Sequence, residues 1–336
     1  MKWRKGLVLC AIVLMTSVIA AACGNTGNNG NAGAANEANT NANANSGDKE
    51  QNAQTEEEAT TRKVTHLMGE TEIPVNPQRI VADQYIGHLL ALGIKPVGAR
   101  GDLMKSPFLK ELTEGIADSG SPMSLEAVLD LKPDLIIVQN GDNYEQLSKI
   151  APTIVYEYGK LNSIEQLKLF GEILGKQKEA DAWVTSFEQK AASYREQLAN
   201  VVGKDETVSI IELWAQGPFV FGNNWGRGGY SLYNSLQLSA PEIVKQEILD
   251  KEQYRNISME VLPEYAGDYI FLTVYAADGG DKKSAEIQSS EIWKSLPAYK
   301  NNRIITLNID EMAAGDPISM MKQMDIQVES LLALKK

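Results

Sequence analysis

One short glycine-rich run holds two side chains with hydrogen-bonding and stacking capacity. In Gly222-Asn223-Asn224-Trp225-Gly226-Arg227-Gly228-Gly229, the Arg227 guanidinium can donate several hydrogen bonds in a fixed fork to anionic oxygens, and the Trp225 indole offers a flat apolar wall with one N–H donor. A glycine-rich turn before a helix could also cradle a phosphate. No Gly-Lys-Ser/Thr follows, however, and the GxGxxG spacing is absent, which argues against a nucleotide. Four further side chains stand where apolar runs end: Tyr85 and Arg100 after two early runs, Trp214 and Tyr275 after two later ones. The ends of strands are where open α/β sheets place ligands, so each is a candidate cleft residue.

Catalysis has little to work with. A hydrolase needs a nucleophile elbow or a histidine with an acidic partner, and the chain has only His66, in an extended N-terminal segment, and His88, in a helical stretch beside Leu89 and Leu90. Both read as structural or solvated, and no nucleophile, base and oxyanion donor assemble. A zinc or manganese carrier needs several histidines with carboxylates, which two histidines in one half of the chain do not supply. Cys10 and Cys23 are the only cysteines, so the chain beyond them has neither a disulfide nor a thiolate metal site. A net charge of −12 gives no electrostatic reason to bind nucleic acid. The expectation is a binding protein, not an enzyme, with no metal site and no cofactor.

The elements that must position these residues are legible as alternating apolar runs and amphipathic stretches, the pattern of helices covering mostly parallel strands. Strands are predicted at 79–82, 96–99, 135–138 and 153–156, with helices near 84–92, 107–112, 124–131 and 143–150. Residues 163–200 form the longest helical pattern, broken only by Gly171 and Gly175. From 177 onward, Ala180, Trp183, Val184, Phe187, Ala191, Tyr194 and Leu198 recur at three- and four-residue steps. A second series follows, with strands at 208–213, 269–274 and 303–307 and helices near 229–237, 258–264, 289–295 and 317–334. The chain reads as lobe, helix, lobe. An internal echo supports this: residues 124–138 align without gaps on 258–272, with serine, glutamate, aspartate and isoleucine coinciding. Each copy is predicted to be a serine-capped short helix, a turn and a buried strand.

The N-terminal residues read as an export signal. Lys2, Arg4 and Lys5 precede an apolar run from Gly6 to Ala22, which ends in small residues around Cys23, the pattern cleaved before a cysteine is acylated. An uncleaved membrane helix is the competing reading. Removing the three basic residues with the leader takes the net charge from −12 to −15. Residues 24–60 hold no aromatic side chain and hardly any branched apolar one, so they cannot offset the entropy of ordering and read as a tether.

The run VTHLMGETEIPVNPQRIV from Val64 and the run SLEAVLDLKPDLIIV from Ser124 resemble the iron-siderophore and cobalamin group of ABC-transporter substrate-binding proteins over about 62–334. That resemblance implies a class III fold of two α/β lobes joined by a single long helix, with the ligand cleft between them. It implies the division 1–22 signal peptide, 23–61 lipidated linker, 62–160 N-terminal lobe, 161–202 interlobe helix and 203–336 C-terminal lobe. Glu126 and Glu260, matched in the echo, occupy the positions with which each lobe engages permease arginines. The segment GNNWGRGGYSLYNSLQLSAPEIV from Gly222 is most similar to the ferric-hydroxamate-binding members, where Trp225 and Arg227 would hold a siderophore whose six oxygens already fill the iron. A catecholate or citrate-type siderophore is the alternative ligand, and a surface hydrolase or adhesin the alternative class. The implied partners are a ferric siderophore, permease subunits with their cytoplasmic ATPase and, through acylated Cys23, the membrane. The implied state is a monomer on the extracytoplasmic face of a Gram-positive type of cell. Because Trp225 and Arg227 would face an open cleft, replacing either is expected to leave the ligand-free protein's stability nearly unchanged.

Overall fold

The computed structural model describes residues 60–334; the expected leader, Cys23 and the tether up to residue 59 lie outside the described residues. A hairpin of β1 (Thr61–His66) and β2 (Gly69–Pro74) precedes the first sheet. That sheet is made of β3 (Ile80–Ala82), β4 (Gly98–Ala99), β5 (Ala117–Asp118), β6 (Leu135–Val138) and β7 (Thr153–Val155), all parallel, in the order β5-β4-β3-β6-β7. The second contains β8 (Val208–Trp214), β9 (Gly217–Phe221), β10 (Tyr254–Asn256), β11 (Tyr269–Val274) and β12 (Ile304–Thr306), in the order β10-β9-β8-β11-β12. Here β8, β11 and β12 are parallel, whereas β9 and β10 each run antiparallel to the preceding neighbour. Every strand predicted from sequence is present. Mostly buried on both faces, these strands read as largely apolar runs. The strands not anticipated are the β1–β2 hairpin, two-residue β5, β9 and β10.

The echo has a structural counterpart. β6 and β11 occupy the same place in their sheets, each parallel to the strand that comes first in its sheet along the chain. The matched aspartates do matching work: Asp134 accepts from the backbone N–H groups of Gln78 and Arg79 at 2.6 and 2.8 Å, just before β3, and Asp268 accepts from that of Thr207 at 2.8 Å, just before β8. Each carboxylate fixes the start of the neighbouring strand. The serines differ. Ser124 caps helix Leu125–Asp130 by accepting from Ala127 N at 3.4 Å, but the C-terminal helix forms only at Leu262–Tyr265 and has no side-chain cap. Ser258 instead acts on the exposed Glu260 carboxylate and is the chief cause of its lowered pKa.

The 161–202 region is two helices. Asn162 and Glu165 form a reciprocal capping box at the start of Ser163–Ile173. Gly175, at φ +66°, turns the chain into the 22-residue helix Gln177–Leu198, about 33 Å long at 1.5 Å per residue. Ala180 on this second helix lies in the N-terminal core with Tyr85, Leu167 and Phe170, whereas Phe187, Ala191 and Leu198 lie in the C-terminal core with Ile210, Phe271 and Val328. One helix thus belongs to both cores, which is how it bridges the lobes.

Two helix expectations are corrected. The segment near 107–112 is a series of turns after a short helix at Gly101–Met104; only Leu109 of that segment is buried, so no apolar stripe holds successive turns together. The segment near 229–237 is a π-helical turn, Tyr230–Ser235. The last helix, Pro317–Ala333, starts at Asp316, whose carboxylate accepts from Ser319 N at 3.0 Å and Ser319 Oγ at 2.6 Å. Among the described residues no helix is long and apolar enough to cross a membrane.

Candidate functional site

The glycine-rich run is a tight left-handed loop. Gly226, Arg227 and Gly228 have φ of +64°, +56° and +71°. A Cβ at Gly226 would strike the Ala313 carbonyl oxygen, and one at Gly228 the Gln327 amide, so glycine is required on both sides. Arginine is not a residue that adopts this conformation freely; the cost is about 1–2 kcal/mol. It is offset by fixed partners: Arg227 N donates to Met312 O at 2.6 Å, and its carbonyl accepts from Gln327 Nε2 at 3.3 Å.

The guanidinium of Arg227 is clamped from behind by Glu212, whose side chain is 0 % exposed. Nε donates to Oε2 at 2.9 Å and Nη2 to Oε1 at 2.8 Å. Glu212 also accepts from Trp214 Nε1 at 2.6 Å and Thr273 Oγ1 at 2.7 Å, so its lone pairs are well satisfied inside the sheet. The guanidinium carbon lies over the Phe221 ring, 4.6 Å from its centroid. Nη1 reaches Ala313 O only at 3.4 Å, leaving that edge lightly held.

Arg100 repeats this arrangement on the N-terminal lobe. Its Nε and Nη2 donate to Asp102 at 3.1 and 2.6 Å, Nη1 donates to Gln84 Oε1 at 3.1 Å, and Asp83 lies 3.7 Å away. The Arg100 hydrogen bond lowers the Asp102 pKa, while burial raises that of Asp83 against the pull of Arg100. Between the lobes, burial and then Asp316 push the Tyr158 phenol up to about 12, against the opposing pull of Gln84, Arg227 and Arg100. Both guanidinium groups therefore act on the same phenol.

An aromatic row crosses the C-terminal face. Tyr158 meets Trp225 edge-on at 5.1 Å, Trp225 lies 6.3 Å from Tyr254, Tyr254 6.1 Å from Trp214, and Trp214 5.3 Å from Tyr275. Trp214 stacks on Phe219 at 4.3 Å. Cavities flank Tyr158: one of about 420 Å³ between Gln84, Asp102 and Ala313, and one of about 790 Å³ between Asn224, Tyr230 and Tyr254.

Of the residues picked from sequence, Trp225, Arg227, Trp214 and Tyr275 come together on one lobe and Arg100 sits on the other. Tyr85 does not join them as a cleft side chain. It is 1 % exposed, packs edge-on against Phe170 at 4.9 Å and donates its hydroxyl to Tyr156 O at 2.5 Å, because the strand end it follows leads directly into a helix whose inner face is core. Glu126 and Glu260 are exposed, each on its own lobe. His66 and His88 are buried and structural: His66 pairs with Thr71 Oγ1 at 2.7 Å and His88 with Ser163 Oγ at 3.2 Å. Glu212, Tyr158 and Tyr254 were missed. Glu212 carried a signal, a lone charge inside the apolar strand Val208–Trp214, and Tyr158 follows the end of β7.

Two sheets bridged by one helix, with Arg100, Trp214 and Tyr275 at the ends of their strands, define the class of two-lobed binding proteins. The chain belongs to the periplasmic binding protein family, whose model matches residues 105–311. It is 36% identical over 331 residues to the iron(3+)-hydroxamate-binding protein YxeB of Bacillus subtilis, covering 98% of this chain and 97% of that one. Among solved structures it resembles a binding component of a ferrichrome ABC transporter from Bacillus subtilis, with a TM-score of 0.73 and 37% identity over 80% of this chain and 99% of the other. It also resembles FhuD2 of Staphylococcus aureus with bound ferrioxamine B, with a TM-score of 0.69 and 28% identity over 77% of this chain and 100% of that one.

Proposed function

We propose that the protein binds a ferric hydroxamate siderophore outside the cytoplasm and delivers it to an ABC-transporter permease. The observation that carries the ligand class is charge balance: the guanidinium groups of Arg100 and Arg227 are matched by Asp83, Asp102 and Glu212. Such a site has donors to offer but no excess positive charge. Ferric iron with three hydroxamates is a neutral chelate, whereas a tris-catecholate carries three negative charges and calls for uncompensated cations. Arg227 and Arg100 would donate their outward edges to chelate oxygens, and Trp225 with Tyr254 would cover the apolar arms. The iron keeps its six siderophore oxygens and takes no protein ligand. Glu126 and Glu260 are assigned to the permease, and acylated Cys23 to the membrane.

The test is a tryptophan-quenching titration of the wild type and Trp225→Ala against ferric hydroxamates, a ferric catecholate and a ferric citrate complex. Hydroxamates should bind about 10-fold or more tighter than the others, a difference of about 1.4 kcal/mol, and Trp225→Ala should lose both affinity and quenching. Equal or tighter catecholate binding overturns the ligand class.

A further inference from the structure

Beneath the Gly226–Gly229 loop, where the two lobes meet, lies a cavity with about 30 Å³ of room for water centres. Three of its lining side chains are almost wholly buried, His88 at 2%, Gln166 at 4% and Gln323 at 0% exposure. His88 Nδ1, Gln166 Nε2 and Gln323 Oε1 have no hydrogen-bond partner in the protein. An unpaired buried polar group costs about 1–3 kcal/mol, so three around one cavity need an occupant. No carboxylate or other charged side chain lines the space, which removes a cation. The set contains a donor, an acceptor and an imidazole nitrogen able to serve as either, and a water needs about 10–15 Å³ of such room with two to four polar partners.

We propose that this cavity is a hydration site for one or two ordered waters that join His88 and Gln166 of the N-terminal lobe to Gln323 of the last helix, and that Gln323 is thereby a positioning residue for Arg227. The rest of Gln323 is already committed: its Nε2 donates to Glu311 O at 3.0 Å and Ala314 O at 2.8 Å. Those carbonyls bracket the stretch whose Met312 and Ala313 oxygens hold the Arg227 backbone and guanidinium. A water on Oε1 fixes the amide, the amide fixes the stretch, and the stretch fixes Arg227.

The hydration half is tested by oxygen-17 relaxation dispersion on the wild type and Gln166→Leu, with a high-resolution crystal structure of the wild type. One or two long-lived waters should be lost in the variant, and the crystal should show them within hydrogen-bond distance of all three atoms. Equal counts, an empty cavity, or direct pairing among the three side chains overturns it. The positioning half rests on the proposed ligand. Gln323→Met should weaken ferric hydroxamate binding about 10-fold and shift the Arg227 Nε–H resonance in the ligand-free protein; unchanged affinity and resonance overturn it. A wild type that binds no hydroxamate would instead sink the proposed function and leave the water count standing.

Discussion

Arg227 and Glu212 meet through two parallel hydrogen bonds, Nε to Oε2 at 2.9 Å and Nη2 to Oε1 at 2.8 Å, with the carboxylate wholly buried. The arginine picked from sequence as a ligand grip is thus also the counter-charge of a buried glutamate in the central part of a sheet. The expectation that replacing it leaves stability unchanged is corrected: Arg227→Ala strands a desolvated carboxylate, a loss of about 3–5 kcal/mol. Urea denaturation of Arg227→Ala, Glu212→Gln and the Arg227→Met/Glu212→Gln pair should show the double variant more stable than Arg227→Ala alone. Wild-type stability in Arg227→Ala would refute the clamp.

Exposure of both matched glutamates separates docking from binding. Glu126→Ala and Glu260→Ala should reduce siderophore uptake by cells while leaving the dissociation constant of the isolated protein within about 2-fold, since both are exposed and neither lines the cavities beside Tyr158. Lost affinity in solution would move the residue from the docking surface to the cleft or the fold.

His88 links the fold to pH. Burial lowers its pKa from 6.5 to about 3. A histidine held neutral contributes stability that is fully present above the unfolded pKa and is lost as pH falls from 6.5 towards 3. Between pH 7.5 and 5.5 this amounts to about 1.4 kcal/mol, from one pKa unit. The wild type should lose about that much more than His88→Gln over the same interval, measured by urea denaturation. Identical pH slopes would mean that the imidazole titrates in the native protein as it does in the unfolded chain.

The proposed anchoring through Cys23 has a direct test. Cys23→Ala should leave an unprocessed precursor or release the protein from membranes, read by intact mass and fractionation. An unchanged mature mass and membrane fraction would return the apolar run to the uncleaved-helix reading.

The lobe-helix-lobe order, all seven anticipated strands and the match of the aspartates and strands within 124–138 and 258–272 were determined by the sequence itself, because parallel strands mostly buried on both faces leave largely apolar runs and a bridging helix leaves a long 3.6-residue period. The glycines flanking Arg227 marked a turn, but the left-handed conformation of Arg227 itself came only from the structure. The sequence did not reveal that Glu212, Arg227, Trp214 and Thr273 share one hydrogen-bonded knot, that Arg100 is clamped by Asp102, or that Tyr85 is core. Short edge strands such as β5 and β10 were also hidden, since two or three residues carry no period. The knot joins positions as far apart as 212 and 273 across neighbouring strands. Such partners are chosen by strand order and register, and only the tertiary structure decides which side chains then face the same buried space.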